Sequence, residues 1–374
     1  MNQAENFLYQ KLLQRSENGL LRKLSDTALP YDFCSNDYLG FARSERLKEM
    51  VIDLTQTLRD YRNGATGSRL LTGNLAYTEA TEQFIAKYHQ AEAGLIFNSG
   101  YDANLALLSA IPQRGDTIIT DELIHASLID GCRLSHAERY KFKHNDLLDL
   151  EKKLRLAKGI IYVVVESVYS MDGDLAPLKA ISNLCQAYQA HLIVDEAHAI
   201  GVFGESGKGL IAQLKLTTNV FARVVTFGKA IGTHGAIILG STALRDYLIN
   251  FARPFIYTTA APIHAIISIN CAYQLLAQGD EQQVLQHKIS LYHEVIKSIK
   301  QVTITNPSAI QAIVIPNRTK VKQAALNLQE KGFDVRPILG PTVAMGKERL
   351  RICLHAYNSD SEIEQLANYL KQID

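Results

Sequence analysis

Four short stretches place residues capable of chemistry where apolar runs give way to helical patterns. Thr226-Phe227-Gly228-Lys229-Ala230-Ile231-Gly232 surrounds a lysine with glycines, whose lack of bulk lets a planar ligand approach it closely. Val194-Asp195-Glu196-Ala197-His198 ends an apolar run with an aspartate that could sit against a protonated pyridine nitrogen. His198 could reach a ring hydroxyl from the same loop. Asn98-Ser99-Gly100-Tyr101-Asp102-Ala103-Asn104 turns a strand into a helix whose free N–H groups and positive end suit a phosphate. In Leu123-Ile124-His125-Ala126-Ser127 a flat imidazole stands at another such junction. It could stack on a heteroaromatic ring and donate a hydrogen bond to a substrate.

Each stretch alone has a plain alternative: a solvated turn, a strand cap, an ordinary helix start, a packing histidine. The order G-x-x-x-x-G-K-[ST] is absent, which argues against nucleotide-triphosphate binding and leaves Asp195 to His198 without a helicase context. Together the stretches are more specific. A phosphate cradle, an aspartate for a ring nitrogen and a lysine to carry the group covalently are what pyridoxal phosphate requires. The 34 residues from Asp195 to Lys229 suit neighbouring strands of one sheet.

The elements that must position these residues can be read from periodicity. Candidate strands are 94–97, 117–120, 160–166, 191–195, 224–226 and 236–239, with helices expected at 101–111, 125–134, 146–157 and 177–189. Uniformly apolar strands alternating with helices predict an α/β fold with a mostly parallel sheet covered on both faces. Sites in such sheets lie beyond the carboxyl ends of the strands, where the four stretches fall. Long helices at 241–252, 262–277 and 280–300 follow, then strands at 311–315 and 349–354 and helices near 320–331 and 360–372. That change of pattern predicts a smaller α+β domain. The expected division is an arm at 1–44 with an amphipathic helix over 4–24 (Phe7, Leu8, Leu12, Leu13), a large domain at 45–250 and a small one at 251–374.

The 374 residues are 47% apolar and 21% charged, ordinary globular usage, and a formal net charge of +1 offers no general field for nucleic acid. The five cysteines lack C-x-x-C spacing, which speaks against zinc or a disulfide framework and for a reducing compartment. With no signal-like start and no apolar run near membrane-spanning length, a soluble cytoplasmic protein is expected.

Further motifs carry a resemblance. Ser35-Asn36-Asp37-Tyr38-Leu39-Gly40, Gly64-Ala65-Thr66-Gly67-Ser68-Arg69 with Gly73-Asn74, Ser170-Met171-Asp172-Gly173-Asp174, and Pro341-Thr342-Val343 leading to Arg349-Leu350-Arg351 flank the four stretches in order. From about Ser35 to Tyr357 the chain resembles the α-oxoamine synthases, a branch of the fold-type-I pyridoxal-phosphate enzymes. The resemblance implies a large domain with a mostly parallel sheet, a smaller α+β C-terminal domain, and a homodimer. It implies that Lys229 carries the cofactor, Asp195 pairs with the ring nitrogen, His125 stacks on the ring, and Ser170 and His198 meet the ring hydroxyl. Gly100, Tyr101 and Thr226 would hold the phosphate, helped by Thr258 or Thr259 of a second subunit. Arg351 would receive the amino-acid carboxylate, Arg22 and Thr342 would meet the acyl substrate, and Asn36 would also bind substrate.

The stretch 67–74 and Phe251-Ala252-Arg253 with Ile256-Tyr257-Thr258-Thr259 favour the branch that joins L-alanine to a pimeloyl thioester, of coenzyme A or acyl-carrier protein, in biotin synthesis. Glycine-using sisters of the 2-amino-3-ketobutyrate ligase or 5-aminolevulinate synthase type are the alternative, since Thr342 is shared with the latter. Ala199 stands where glycine is common in the family and His234 where serine is common.

Overall fold

The computed structural model describes residues 2–373 except 23, 25–27, 59, 60, 298, 300 and 301. Its first helix, Gln3–Glu17, begins with a capping box: the Asn2 side chain accepts from the Glu5 N–H, and the Glu5 carboxylate accepts from the Asn2 N–H. None of its residues is buried, and Phe7 and Leu8 are 60% exposed. The apolar spacing makes a helix here, but one that lies outside the core of its own chain.

Beyond a two-residue strand β1 (Tyr31–Asp32), the main sheet is built from β2 (Ala93–Phe97), β3 (Thr117–Asp121), β4 (Glu138–Phe142), β5 (Ile161–Glu166), β6 (His191–Asp195), β7 (Ala222–Thr226) and β8 (Ala236–Gly240). Their order is β2-β8-β7-β6-β5-β3-β4. From β7 across to β4 all neighbours are parallel, and β8 runs antiparallel to both β7 and β2. Because successive residues of a strand face opposite ways, the two faces feed two separate cores. Val163, Val165, Val194 and Val225 enter one, whereas Tyr162, Val164, Ile193 and Val224 enter the other. This double burial explains the continuous apolar runs in the sequence.

The helices Gly100–Ala110, Ala126–Leu134, Leu147–Leu156 and Leu178–Ala187 lie within the expected spans or one residue outside them. Strand β4 was not expected. Its sequence Glu-Arg-Tyr-Lys-Phe is polar and mostly solvent-facing because β4 is the sheet's edge, where charge discourages further pairing.

The C-terminal part has β9 (Val302–Ile304), β10 (Ile310–Val314), β11 (Phe333–Asp334), β12 (Arg336–Ile338) and β13 (Arg349–Cys353). Four of them form the antiparallel order β12-β13-β10-β9, with helices Arg318–Glu330 and Asp360–Leu370, while β11 pairs in parallel with β1. The protein is thus α/β, with a large mixed sheet and a smaller α+β unit. The segment after β1 joins them: the Cys353 N–H donates to the Phe33 carbonyl (2.8 Å), and the Ala356 N–H to that of Tyr38 (2.8 Å). Phe33, Tyr38, Leu39 and Phe41 are buried there. Among the described residues no helix is long and apolar enough to cross a membrane.

Candidate active site

Asp195 and Thr226 are the last residues of the adjacent parallel strands β6 and β7, where an α/β sheet opens its binding crevice. Asp195 is 5% exposed. Its Oδ1 accepts from the Ala197 N–H (2.8 Å) and its Oδ2 from the Asn104 side-chain amide (2.8 Å). Both donors are neutral, and no ion pair reaches this carboxylate among the described residues. Asn104, one turn inside helix Gly100–Ala110, also donates to Ser127 Oγ at 2.9 Å, and Ser127 Oγ stands 2.7 Å from His125 Nδ1. The Ser127 backbone N–H points to the same Nδ1 (3.2 Å). Nδ1 is therefore the acceptor, and the neutral ring carries its proton on Nε2. Burial lowers the His125 pKa, which favours that neutral form.

Lys229 follows β7, and its Nζ lies 2.8 Å from His198 Nε2. Burial, opposed by the charges of Asp195 and Glu166, lowers its pKa to about 8. Burial also drives His198 well below the usual histidine range, reinforced by the nearby positive charges of Lys229 and Arg351. Gly232 makes this loop possible. It adopts φ +66°, and a side chain there would collide with the backbone of Phe41 and Ala42.

On the other side of His198, Nδ1 is 2.7 Å from the Tyr38 hydroxyl, which donates to Asn36 Oδ1 at 3.1 Å. Arg351, on β13, donates from Nη2 to the same Asn36 oxygen (2.9 Å), from Nε to the Ser170 carbonyl (2.7 Å) and from Nη1 to Cys353 Sγ (2.9 Å). Lysine and arginine thus occupy one connected hydrogen-bond system.

The helix start expected to cradle an anion lies at Gly100. Ser99 caps the helix by accepting from the Asp102 N–H, leaving the first-turn N–H groups of Gly100 and Tyr101 outside the helical ladder. A Cβ on Gly100 would lie 3.4 Å from Thr226 Oγ1, so the missing side chain keeps the space between them open. The Tyr101 hydroxyl is turned to Asp130 (2.6 Å). Thr258 Oγ1 receives a hydrogen bond from Asn98 at 3.1 Å, two residues before Gly100.

The structure brings together Lys229 with His198 and Asn36 with Arg351 by direct contact, the two pairs being joined through Tyr38, and Asp195 with His125 through Asn104 and Ser127. Ser170 enters through its carbonyl rather than its hydroxyl. Arg22 and Thr342 are exposed, and among the described residues no hydrogen bond links either to this cluster. His234 is also exposed, on an open pocket of about 780 Å³ beside helices Glu45–Thr57 and Ile263–Leu276.

Three residues of this cluster were given no role from the sequence: Tyr38 and Asn104, although both lie in the stretches singled out there, and Glu166. Glu166 ends β5 in register with Asp195, and its Oε1 is buried without a hydrogen-bond partner among the described residues. Burial, with Asp195 adding to it, pushes its pKa well above the carboxylate range. Asn104 did have a signal, since it lies four residues after the glycine at the helix start and so on the same face.

The family is clear from this point. The chain belongs to the aminotransferase class I and II family, whose model matches residues 30–370. More particularly, it is 42% identical over 400 residues to 8-amino-7-oxononanoate synthase of Emericella nidulans, covering 97% of this chain and 95% of that one. A putative 8-amino-7-oxononanoate synthase of Bacillus licheniformis is 38% identical over 372 residues, covering 98% and 97%. Among solved structures, serine palmitoyltransferase of Sphingomonas wittichii matches with a TM-score of 0.90 at 26% identity, over 98% of this chain and 96% of that one. The 8-amino-7-oxononanoate synthase of Francisella tularensis matches at 0.78 and 28%, over 93% and 98%.

Proposed function

We propose that this chain holds pyridoxal 5'-phosphate through Lys229 and condenses L-alanine with a pimeloyl thioester: the new Cα–acyl bond replaces the C–S bond, and the products are the free thiol, carbon dioxide and 8-amino-7-oxononanoate. The observation that carries the reading is Asp195, a buried carboxylate with neutral hydrogen-bond donors and no ion pair among the described residues. Such a charge is costly to bury unless a cation joins it, and a protonated ring nitrogen supplies one. The remaining residues fit the same group. Lys229 is within the electrostatic reach of Asp195, and the space between Gly100 and Thr226 is lined by anion donors. Lys229 would hold the group covalently and Asp195 its nitrogen, with His125 against its face and His198 and Ser170 beside the ring hydroxyl. Gly100, Tyr101 and Thr226 would hold its phosphate.

When bound, the cationic ring stabilises the electron pair left on the amino-acid Cα. Lys229 is the base placed to take that proton, and an amine titrating near 8 can remove it and return it close to neutral pH. Arg351 uses three of its five N–H groups within the protein, leaving one on each Nη to form a fork for the substrate carboxylate. Lysine could not reproduce that fork. His125 Nε2–H is available to donate to the thioester oxygen as negative charge builds on it. The acylated amino acid is a β-keto acid, which gives up its carboxylate as carbon dioxide, and Lys229 restores the proton at Cα. Arg22 and Thr342 are proposed to meet the acyl chain.

A homodimer completes the reading. The exposed apolar face of helix Gln3–Glu17 supports it, and Thr258 or Thr259 would serve the neighbouring subunit's phosphate site.

The test is an absorbance titration of cofactor-loaded protein with L-alanine, glycine and L-serine, followed by pimeloyl-CoA. A saturable change with alanine and release of carbon dioxide on adding the thioester are expected. A response to glycine alone would move the assignment to a glycine-using sister, and one to serine alone toward the palmitoyltransferase-like relatives. Absence of any response would end the reading.

A further inference from the structure

We propose that Tyr38 is a positioning residue that fixes the tautomer of His198 and, through it, the charge state of the Lys229 amine when it is free of the cofactor. The inference rests on Lys229 being the reacting amine. It comes from following the protons along the chain of contacts that starts at Arg351. A guanidinium only donates, so the Asn36 atom 2.9 Å from Arg351 Nη2 is the carbonyl oxygen. An oxygen only accepts, so Tyr38 gives its single proton to Asn36 across 3.1 Å. The Tyr38 oxygen then accepts from His198 Nδ1–H at 2.7 Å. That leaves a lone pair on His198 Nε2, aimed at Lys229 Nζ across 2.8 Å, and it favours the ammonium form of the amine, which is the stronger donor. With His198 neutral, as its burial requires, one arrangement satisfies all four contacts.

Tyr38 has no solvent exposure, and burial raises its pKa far above the usual phenol range, so it stays a neutral hydroxyl at every working pH. The other groups facing Lys229 act on it electrostatically, without a hydrogen bond to its amine among the described residues. Asp195 and Glu166 act from the strand ends, Arg351 and Cys353 from β13, and His125 from its helix cap. Among the groups facing the amine, His198 accepts a hydrogen bond from it, and Tyr38 decides which way that hydrogen bond runs.

Tyr38→Phe keeps the ring and removes the oxygen. His198 Nδ1–H then loses its buried acceptor, and the proton is better placed on Nε2, facing Lys229. The amine must now accept, which favours its neutral form. Loss of one hydrogen bond to a charged group corresponds to about one pH unit.

The experiment is carbamylation of the full-length protein, freed of bound cofactor, by cyanate from pH 6 to 10. Lys229 is followed by peptide mass spectrometry, with the exposed Lys297 as internal standard. In Y38F the midpoint of the Lys229 rate–pH curve should fall by about one unit, making reaction at pH 7 roughly five-fold faster. A merely looser site would raise the plateau at high pH and leave the midpoint in place. An unchanged midpoint in folded Y38F overturns the proposal. A second measurement does not depend on the variant folding. Nitrogen spectra of histidine-labelled wild-type protein, with His198 assigned by His198→Asn, should show the proton on Nδ1, and finding it on Nε2 overturns the proposal equally. Failure of the cofactor reading would appear separately, as wild-type protein that gains no visible band with pyridoxal phosphate.

Discussion

Asp121 and Asp195 are both buried aspartates at the carboxyl ends of strands in one sheet, yet they are satisfied in opposite ways. Asp121 ends β3 and accepts from the Leu123 N–H (2.8 Å) and the Asn145 N–H (2.9 Å), and it pairs with His144 Nδ1 at 3.0 Å. His144 reaches on to Asp174 at 2.7 Å and sets its ring edge-on to Tyr169. Every demand of that charge is met inside the chain. Asp195 accepts two hydrogen bonds from neutral groups and, among the described residues, has no cationic partner in direct contact. Asp121 is complete, and Asp195 waits for something. Of two buried carboxylates, the one left without a counter-ion is the one to suspect of function.

The comparison can be broken first at the functional end. Lys229→Ala should lower turnover by more than about 10⁴-fold, with the fold unchanged by circular dichroism. A variant retaining appreciable condensation would remove the lysine from the mechanism. Asp195→Asn should lower kcat by about 10²–10³-fold even when saturated with cofactor, because an amide cannot hold a ring cation. Its unfolding free energy should stay within about 1 kcal/mol of wild type, since a charge without an ion pair is being removed. A large stability loss in D195N would make Asp195 a structural residue like Asp121, and the distinction would fail.

Much of this site was legible in sequence because the chain places its chemistry at strand ends. Asp195, Lys229, His125 and Gly100 all sit at junctions that periodicity and glycine spacing mark. What stayed hidden depends on contacts between distant segments. Tyr38 reaches His198 across 160 positions, and Asn36 reaches Arg351 across 315. Local pattern does not encode such pairs. Glu166 looked like the polar end of an apolar strand, and only the register of β5 on β6 sets it beside Asp195. Strand β4 was missed for the converse reason: an edge strand need not be apolar, and hydrophobic periodicity is the signal by which strands are found.

At the structural end, Asp121→Asn should destabilise the protein by about 3 kcal/mol in urea unfolding, because it leaves the His144 imidazolium facing a neutral amide. Loss of activity should be much smaller than in D195N. Equal losses in the two variants would mean that both carboxylates serve the site.

The smallest effect is one of pH, and its sign follows from His144. Burial works against the charge on this ring, but hydrogen bonds and attraction from Asp121 and Asp174 outweigh it and raise its pKa to about 9. A histidine held above its ordinary value of about 6.5 stabilises the fold fully below that value. The contribution declines as pH rises and is gone above about 9. Subtracting the unfolding free energy of His144→Gln from that of wild type should therefore give about 2–3 kcal/mol at pH 6 and close to zero at pH 9.5. The loss has a route to the site. Asp174 lies in the loop after Ser170, whose carbonyl holds Arg351 Nε at 2.7 Å. Alkaline pH should thus raise the KM for the amino acid before it lowers kcat, as the fork on Arg351 loses its support. A difference that stays constant from pH 6 to 9.5 would show that His144 is neutral in the folded protein, and Asp121 would then resemble Asp195 after all.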